Sequence, residues 1–246
     1  MNSKSAILVL ADGTVYEGIS IGADGDSVGE LVFNTSMTGY QEMLTDPSYA
    51  RQIITLTTAH VGNTGCNSED MESSRVWASG LVVRDCAITY SNYRADSSLP
   101  EWLNKNGIVA IAGIDTRELT HRLRDHGAIG ACISTNTTEP NKAKKLAQSF
   151  LGLEGLDLAR TVSRQTTERW HEGRGQWARV SRPLKFHVVA YDFGVKHNIL
   201  RIMHDLGCHL TLVPAQTSAA DVLAMDPDGV FLLNGPGDPQ ACDYAI

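Results

Sequence analysis

The chain lacks any uninterrupted apolar run of the roughly 18 or more residues that a membrane-spanning helix needs. It also has no CxxC pair, no internal repeat and no low-complexity segment. Its five cysteines, Cys66, Cys86, Cys132, Cys208 and Cys242, are odd in number and widely spaced. That spacing argues against a disulfide framework or a zinc site and for a reducing, cytoplasmic setting. Positive charge is not in excess: 21 Lys and Arg stand against 28 Asp and Glu, a formal charge of −7. A phosphate-binding surface wants clustered cations, so nothing here calls for nucleic acid as a partner. The opening MNSKSAILVLADGT has one lysine and a short apolar run, then Asp12, and no small-residue cleavage site. It reads as a first strand rather than a signal peptide.

What the chain does have is 246 residues that are 42% hydrophobic, enough for one large core or two ordinary ones. SAILVLADGTVYEGISI is two apolar-rich runs split by Asp12-Gly13, a hairpin signal. GELVFNT, QIITLT and GLVVRDCAI add further strands, and this density of Val, Ile and Thr predicts a sheet or small barrel. Helices follow. Ser98 stands before Pro100 and three residues before Glu101, with Leu99, Trp102 and Leu103 on one face and Gly107 as a stop. Asp115 and Glu118 form a second capping-box-like pair, ahead of Leu119, Leu123 and the terminator Gly127. A third helix starts near Pro140, where Ala143, Leu146, Ala147 and Phe150 mark a core-facing stripe. Residues 1–151 are therefore expected to form a mixed, β-rich α/β domain.

Periodicity dissolves over residues 152–184, an arginine-rich stretch with Trp170 and Trp177. Arginines beside tryptophans also suit a single-stranded nucleic-acid surface. A solvated interdomain linker with an irregular hairpin around the two tryptophans is the simpler expectation. Order returns over 185–246. FHVVAYDFG, HLTLVPA and GVFLLN are strand-like, and two helical segments separate them. The first carries Ile199, Ile202, Met203 and Leu206 on one face before Gly207; Ser218 and Asp221 frame the second. This alternation predicts the first part of an open, mostly parallel α/β sheet, whose ligands bind at the carboxyl ends of the strands. YDFG and NGPGDP both sit at such ends.

In NGPGDP, Gly235 and Gly237 flank Pro236. Glycine lets another group approach the backbone closely, and a stiffened loop can present fixed N–H donors to a developing negative charge. A dinucleotide fingerprint would follow the first strand as GxGxxG, and neither DFGVKH nor NGPGDP fits it. Three readings stay open on the residues alone: an ordinary turn, a ligand or oxyanion loop, and a nucleotide site. Asp192, His197 and His209 also read simply as turn-satisfying or solvent-facing side chains.

VVAYDFGVKHNILR, LTLVPAQTSA and GVFLLNGPGDP resemble the start of a class I glutamine amidotransferase domain. With GELVFNTSMTGYQEMLTDPSYARQIITLT, HVGNTGCN and IAGIDTRELTHRLRDHGAIGACI, the chain is similar to the small, glutamine-hydrolysing chain of the carbamoyl-phosphate synthase family. The resemblance implies a subunit that hydrolyses glutamine and passes ammonia to an ATP-using large subunit. It implies no cofactor on this chain, with ATP and Mg on the large one, and a cytoplasmic heterodimeric ligase serving arginine and pyrimidine biosynthesis. It further implies that Ser48 of TDPSY and the backbones of Gly235 and Gly237 hold glutamine, and that Gly235 is the oxyanion donor.

The family's nucleophilic cysteine on a GxCxGxQ elbow, and its later His-x-Glu pair, have no match in these residues. Cys242 follows Gly237 by too little to lie on an elbow of that kind. The expectation is a C-terminally truncated piece with substrate contacts but no nucleophile, inactive alone, and with an exposed strand edge. The alternative is a non-catalytic module that binds the large subunit.

Overall fold

The computed structural model describes residues 4–87 and 89–245. The chain divides into two compact units. The first takes in the chain up to Thr45, then Arg51–Met71 and Val76–Gly152; the second takes in Asp46–Ala50, Glu72–Arg75 and everything from Leu153 onward. Two short segments of the first half of the sequence thus fold with the second.

The first unit holds β1 (Ser5–Leu10), β2 (Val15–Ser20), β3 (Asp26–Asn34), α1 (Tyr40–Thr45), β4 (Gln52–Leu56), β5 (His60–Val61), β6 (Gly80–Val82) and β7 (Asp85–Cys86). α2 (Leu99–Lys105), β8 (Val109–Ala112), α3 (Thr116–His126), β9 (Ile129–Ser134) and α4 (Pro140–Gln148) complete it. Seven strands close a barrel in the order β1-β2-β8-β6-β4-β3-β9, and β9 pairs back onto β1. The pairs β3/β4, β4/β6 and β6/β8 are parallel and the others antiparallel. Closure leaves no strand edge unpaired. β5 and β7 form a separate two-stranded parallel pair. Ile88, the last residue of the GLVVRDCAI run, lies outside the described residues.

From Ala6 onward β1 is apolar because both of its faces are covered. Ala6, Leu8 and Leu10 fill the interior with Leu31, Ile53 and Ile133, while Ile7 and Val9 face Ala143 and Ala147 of α4. β2 alternates exposed and half-buried positions, the period-two pattern of a strand with one wet face. α4 meets the barrel through alanines, which lets the helix lie close. The expected stripe is consequently narrower: Leu146 is left 36% exposed at its margin. α2 carries the full capping box, Ser98 and Glu101 each accepting the other's backbone N–H. At α3 only half of the expected pair forms. Asp115 accepts from the N–H groups of Arg117 and Glu118, but the Glu118 carboxylate accepts a hydrogen bond from the Tyr16 hydroxyl instead of reaching back.

The second unit contains α5 (Leu158–Val162), β10 (Glu168–Trp170), β11 (Phe186–Asp192), α6 (His197–Asp205), β12 (Cys208–Pro214), α7 (Ala219–Leu223) and β13 (Gly229–Leu232). Its sheet runs β10-β12-β11-β13, with β11 parallel to both neighbours and β10 antiparallel to β12. This is the mostly parallel α/β sheet expected of the second half. The hairpin expected around Trp170 and Trp177 is absent. Glu168–Trp170 instead pairs with Leu210–Leu212 of β12, whose outer edge supplies backbone partners that a local hairpin would have had to find for itself. Trp170 packs beside His197, ring centres 5.0 Å apart, whereas Trp177 lies in a short 3-10 turn and is exposed. α6 also departs from expectation. Leu200, not Leu206, is fully buried, with Ile199 and Met203 beside it. Leu206 is the C-cap, where the chain already turns through Gly207 into β12.

Cys66 and Cys132 are fully buried, and burial, followed by neighbouring carboxylates, pushes each thiol up to about 12. Iodoacetamide at about pH 8 should therefore leave both unlabelled in the native protein and modify them after denaturation. Peptide mass spectrometry reads this directly; rapid labelling of either in the native state contradicts the packing described.

Candidate functional site

The site is built on two turns at the carboxyl ends of β11 and β13, neighbouring parallel strands. After β11 the chain turns sharply at Phe193-Gly194. Asp192, itself buried, accepts from the N–H groups of Gly194 and Val195, both at 3.0 Å, and so closes the turn on its own side chain. Its other oxygen faces Arg164, whose Nε lies 3.1 Å away and whose guanidinium also reaches Glu168. Gly194 has φ +114°, and a Cβ there would press on Val162, Pro236 and Pro47 at once. Only glycine meets both the dihedral and the space.

The loop after β13 fits against that turn backbone to backbone. A Cβ on Gly235 would overlap the carbonyl oxygen of Phe193, whose ring is stacked on Tyr191 in the core. Gly235 and Gly237 are exposed while Pro236 between them is buried. Among the described residues neither glycine N–H has an acceptor. Gly237 lies over Leu158 of α5.

Ser48 belongs to this same unit. It sits in a 3-10 turn, Pro47–Tyr49, that Asp46 starts by accepting the Ser48 N–H at 2.9 Å. The Ser48 hydroxyl oxygen accepts from Asn234 Nδ2 at 3.0 Å, and Asn234 immediately precedes Gly235. The structure thus places two of the three sequence-identified residues, Ser48 and Gly235, on either side of one asparagine. Gly237 follows two residues on.

Several residues of this site were not evident from the sequence. The second oxygen of buried Asp46 is 2.8 Å from Lys196 Nζ. Burial opposes the Lys196 charge, but the hydrogen bond and charge of Asp46, with Glu72 behind it, more than offset that and raise the ammonium above its ordinary range. Glu72 caps α6 from far away in sequence. Its carbonyl accepts the His197 N–H and its carboxylate the Asn198 N–H, each at 2.9 Å. Burial, more than any other influence, lifts the Glu72 carboxyl above its usual range, against the pull of Asn198, Arg201 and Lys196. Burial, then the Arg201 charge, pushes His197 down. The Asp46-Pro47 dipeptide was a readable start signal for a turn. Nothing local pointed to Glu72, Lys196 or Asn234.

A cavity of about 340 Å³ adjoins the loop, lined among others by Phe193, Gly235, Pro236, Gly237 and Cys242. The Cys242 sulfur lies 3.9 Å from Asp157, a carboxylate that also caps α5 and receives the Tyr244 hydroxyl at 3.1 Å. Among the described residues no cluster of three His, Cys, Asp or Glu is placed to hold a metal, and no helix is long and apolar enough to cross a membrane.

Residues 8–133 match the family model of the carbamoyl-phosphate synthase small chain, CPSase domain, and residues 189–246 that of the class-I glutamine amidotransferases. The chain belongs to the carbamoyl-phosphate synthase small-chain family. It is 57% identical to the carbamoyl phosphate synthase small chain of Xanthomonas campestris over 247 residues, covering 99% of this chain and 66% of that one. The small chains of Vibrio cholerae, 57% identical, and Acinetobacter baylyi, 58% identical, are covered to the same extents. The chain spans 66% of the length of these small-chain relatives.

The backbone contact at Gly235 makes a specific demand on size. Gly235→Ala is expected to destabilise the second unit by about 1–3 kcal/mol through forced displacement of the loop. Gly229→Ala, where an added Cβ meets nothing within 4 Å, should stay within about 0.5 kcal/mol of the parent. Urea denaturation of both variants measures the difference, and equal stability would contradict the interlock.

Proposed function

We propose that the complete protein is the glutamine-hydrolysing small subunit of a carbamoyl-phosphate synthase. It supplies ammonia to a large subunit that carries ATP and Mg and makes carbamoyl phosphate from bicarbonate, for arginine and pyrimidine biosynthesis in the cytoplasm. The observation that carries this reading is the Asn234–Ser48 hydrogen bond, which ties the TDPSY turn to the NGPG loop. In this reading Ser48, Gly235 and Gly237 hold glutamine. When a thiolate attacks the side-chain carbonyl carbon, the carbonyl oxygen takes the negative charge, and the Gly235 N–H stabilises it as a fixed donor. No cofactor is assigned to this chain. An acyl transfer also needs an activated nucleophile and a base within hydrogen-bond reach. Cys242, turned toward the Asp157 carboxylate, is not assigned that part. The nucleophile and its His-Glu partners are assigned to residues other than 1–246.

Ser48→Ala in the complete small chain, assembled with its large subunit, should raise the KM for glutamine about 10-fold or more, the worth of a hydrogen bond to a charged group. Ammonia-dependent synthesis bypasses the glutamine site and should persist. Parallel loss of both activities would assign Ser48 to folding or assembly instead.

The absence of a GxCxGxQ nucleophile elbow among residues 1–246 favours a second reading for them taken alone, a non-catalytic module that binds the large subunit. Purified residues 1–246 should release no glutamate from glutamine even at high protein concentration. Turnover that disappears with Cys242→Ser would overturn the assignment of the nucleophile.

A further inference from the structure

A serine hydroxyl has two faces for a ligand, a proton to give and lone pairs that accept. Which face a substrate meets depends on what the protein has already engaged. Here Asn234 Nδ2 donates to Ser48 Oγ at 3.0 Å, and an amide NH2 group can only donate. The Ser48 oxygen is therefore used as an acceptor inside the protein. Its backbone cannot swing to change this, because the Ser48 N–H is held by Asp46 at 2.9 Å and Asp46 is held by Lys196 at 2.8 Å. Among the described residues nothing accepts the Ser48 hydroxyl proton, and Ser48 is only half-buried.

We propose that Asn234 is a positioning residue that biases the polarity of Ser48, turning its hydroxyl proton toward an acceptor oxygen of the bound amino acid. The proposal rests on the reading of Ser48 as a glutamine contact. It adds a residue that need not touch the substrate and a direction for the hydrogen bond. A free serine rotor spends part of its time with a lone pair toward the ligand. One whose oxygen already accepts from Asn234 has one of its two lone pairs engaged, so its proton is biased away from Asn234 and toward the ligand before binding, and less rotor freedom is lost on binding.

A double-mutant cycle in the complete, assembled enzyme tests this, with glutamine-dependent synthesis as the assay and ammonia-dependent synthesis as the control for folding and assembly. Asn234→Ala should raise the glutamine KM several-fold with little change in kcat. Added to Ser48→Ala, it should change KM by less than about twofold, because the residue it orients is already gone. Asn234→Asp, nearly isosteric, replaces the donor with an acceptor that captures the Ser48 proton; it should raise KM at least as much as Ser48→Ala. Asn234→Asp also stands in for the alanine variant should that one fail to assemble. Additive effects of Asn234→Ala and Ser48→Ala would overturn the inference while leaving the glutamine reading intact. A glutamine KM untouched by Ser48→Ala would remove the reading itself and the inference with it.

Discussion

A buried carboxylate, Asp46, is the point on which the arrangement around Ser48 depends. It is 3% exposed at its side chain and uses both oxygens, one for the Ser48 N–H and one for Lys196. A charge that far from water is tolerated only when paired and hydrogen-bonded. The pairing is what recruits a five-residue segment, Asp46–Ala50, into the second unit although its sequence neighbours on both sides belong to the first. Lys196 is the N-cap residue of α6 and offers that helix no side-chain cap. Glu72, in another segment recruited from the first half of the sequence, caps it instead. One ion pair and one borrowed cap therefore place the turn of Ser48 and the start of α6 together.

Asp192, four residues before Lys196, repeats the device. It too is buried, closes a turn by accepting two backbone N–H groups, and meets a cation, Arg164, from the connection between α5 and β10. The difference is in what each turn then contacts. The Asp46 turn presents a side chain, Ser48, to Asn234. The Asp192 turn presents a backbone carbonyl, that of Phe193, to the α-carbon of Gly235. Side-chain contacts tolerate small shifts of rotamer, while a backbone packed on a backbone leaves no such slack. The NGPG loop is located by the second kind of contact and the serine by the first.

Much of this was legible in advance, for reasons that are local. The hairpin at Asp12-Gly13, the caps at Ser98, Asp115 and Ser218, and the parallel strand-helix alternation all follow from signals a few residues long. The misses share the opposite character. β10 exists because β12 has an edge to fill, and the sequence around Trp170 says nothing about that edge. The buried face of α6 turned on Leu200 rather than Leu206 because the helix stops at Asp205, and a periodic pattern does not report its own last residue. At the site, Gly235 and Gly237 stand out from the loop's own residues, while Ser48 and the glutamine roles of all three come only through the family resemblance. Asn234, Lys196 and Glu72 escaped notice because their roles exist only across long separations, 186 residues in the case of Asn234 and Ser48.

The two units answer the problem of unpaired strand edges differently, and this bears on how the loop is held. The barrel closes on itself, so each of its seven strands has two neighbours. β13 stands at the end of its sheet and, among the described residues, pairs only with β11, through Val188–Tyr191 against Gly229–Leu232. Val230 and Leu232 are exposed on one of its faces. A strand with one partner and half of its side chains in solvent is a weak anchor for whatever follows it. The loop that follows β13 is nevertheless gripped, by Phe193 under Gly235, by Gly194 against Pro236 and by Ser48 on Asn234. These contacts come from β11's turn and from the segment that Asp46 brings in. The order of the NGPG loop is thus set by its neighbours across the site rather than by the strand that carries it, and perturbing Asp46 or Asp192 should disturb that loop more than perturbing β13 itself.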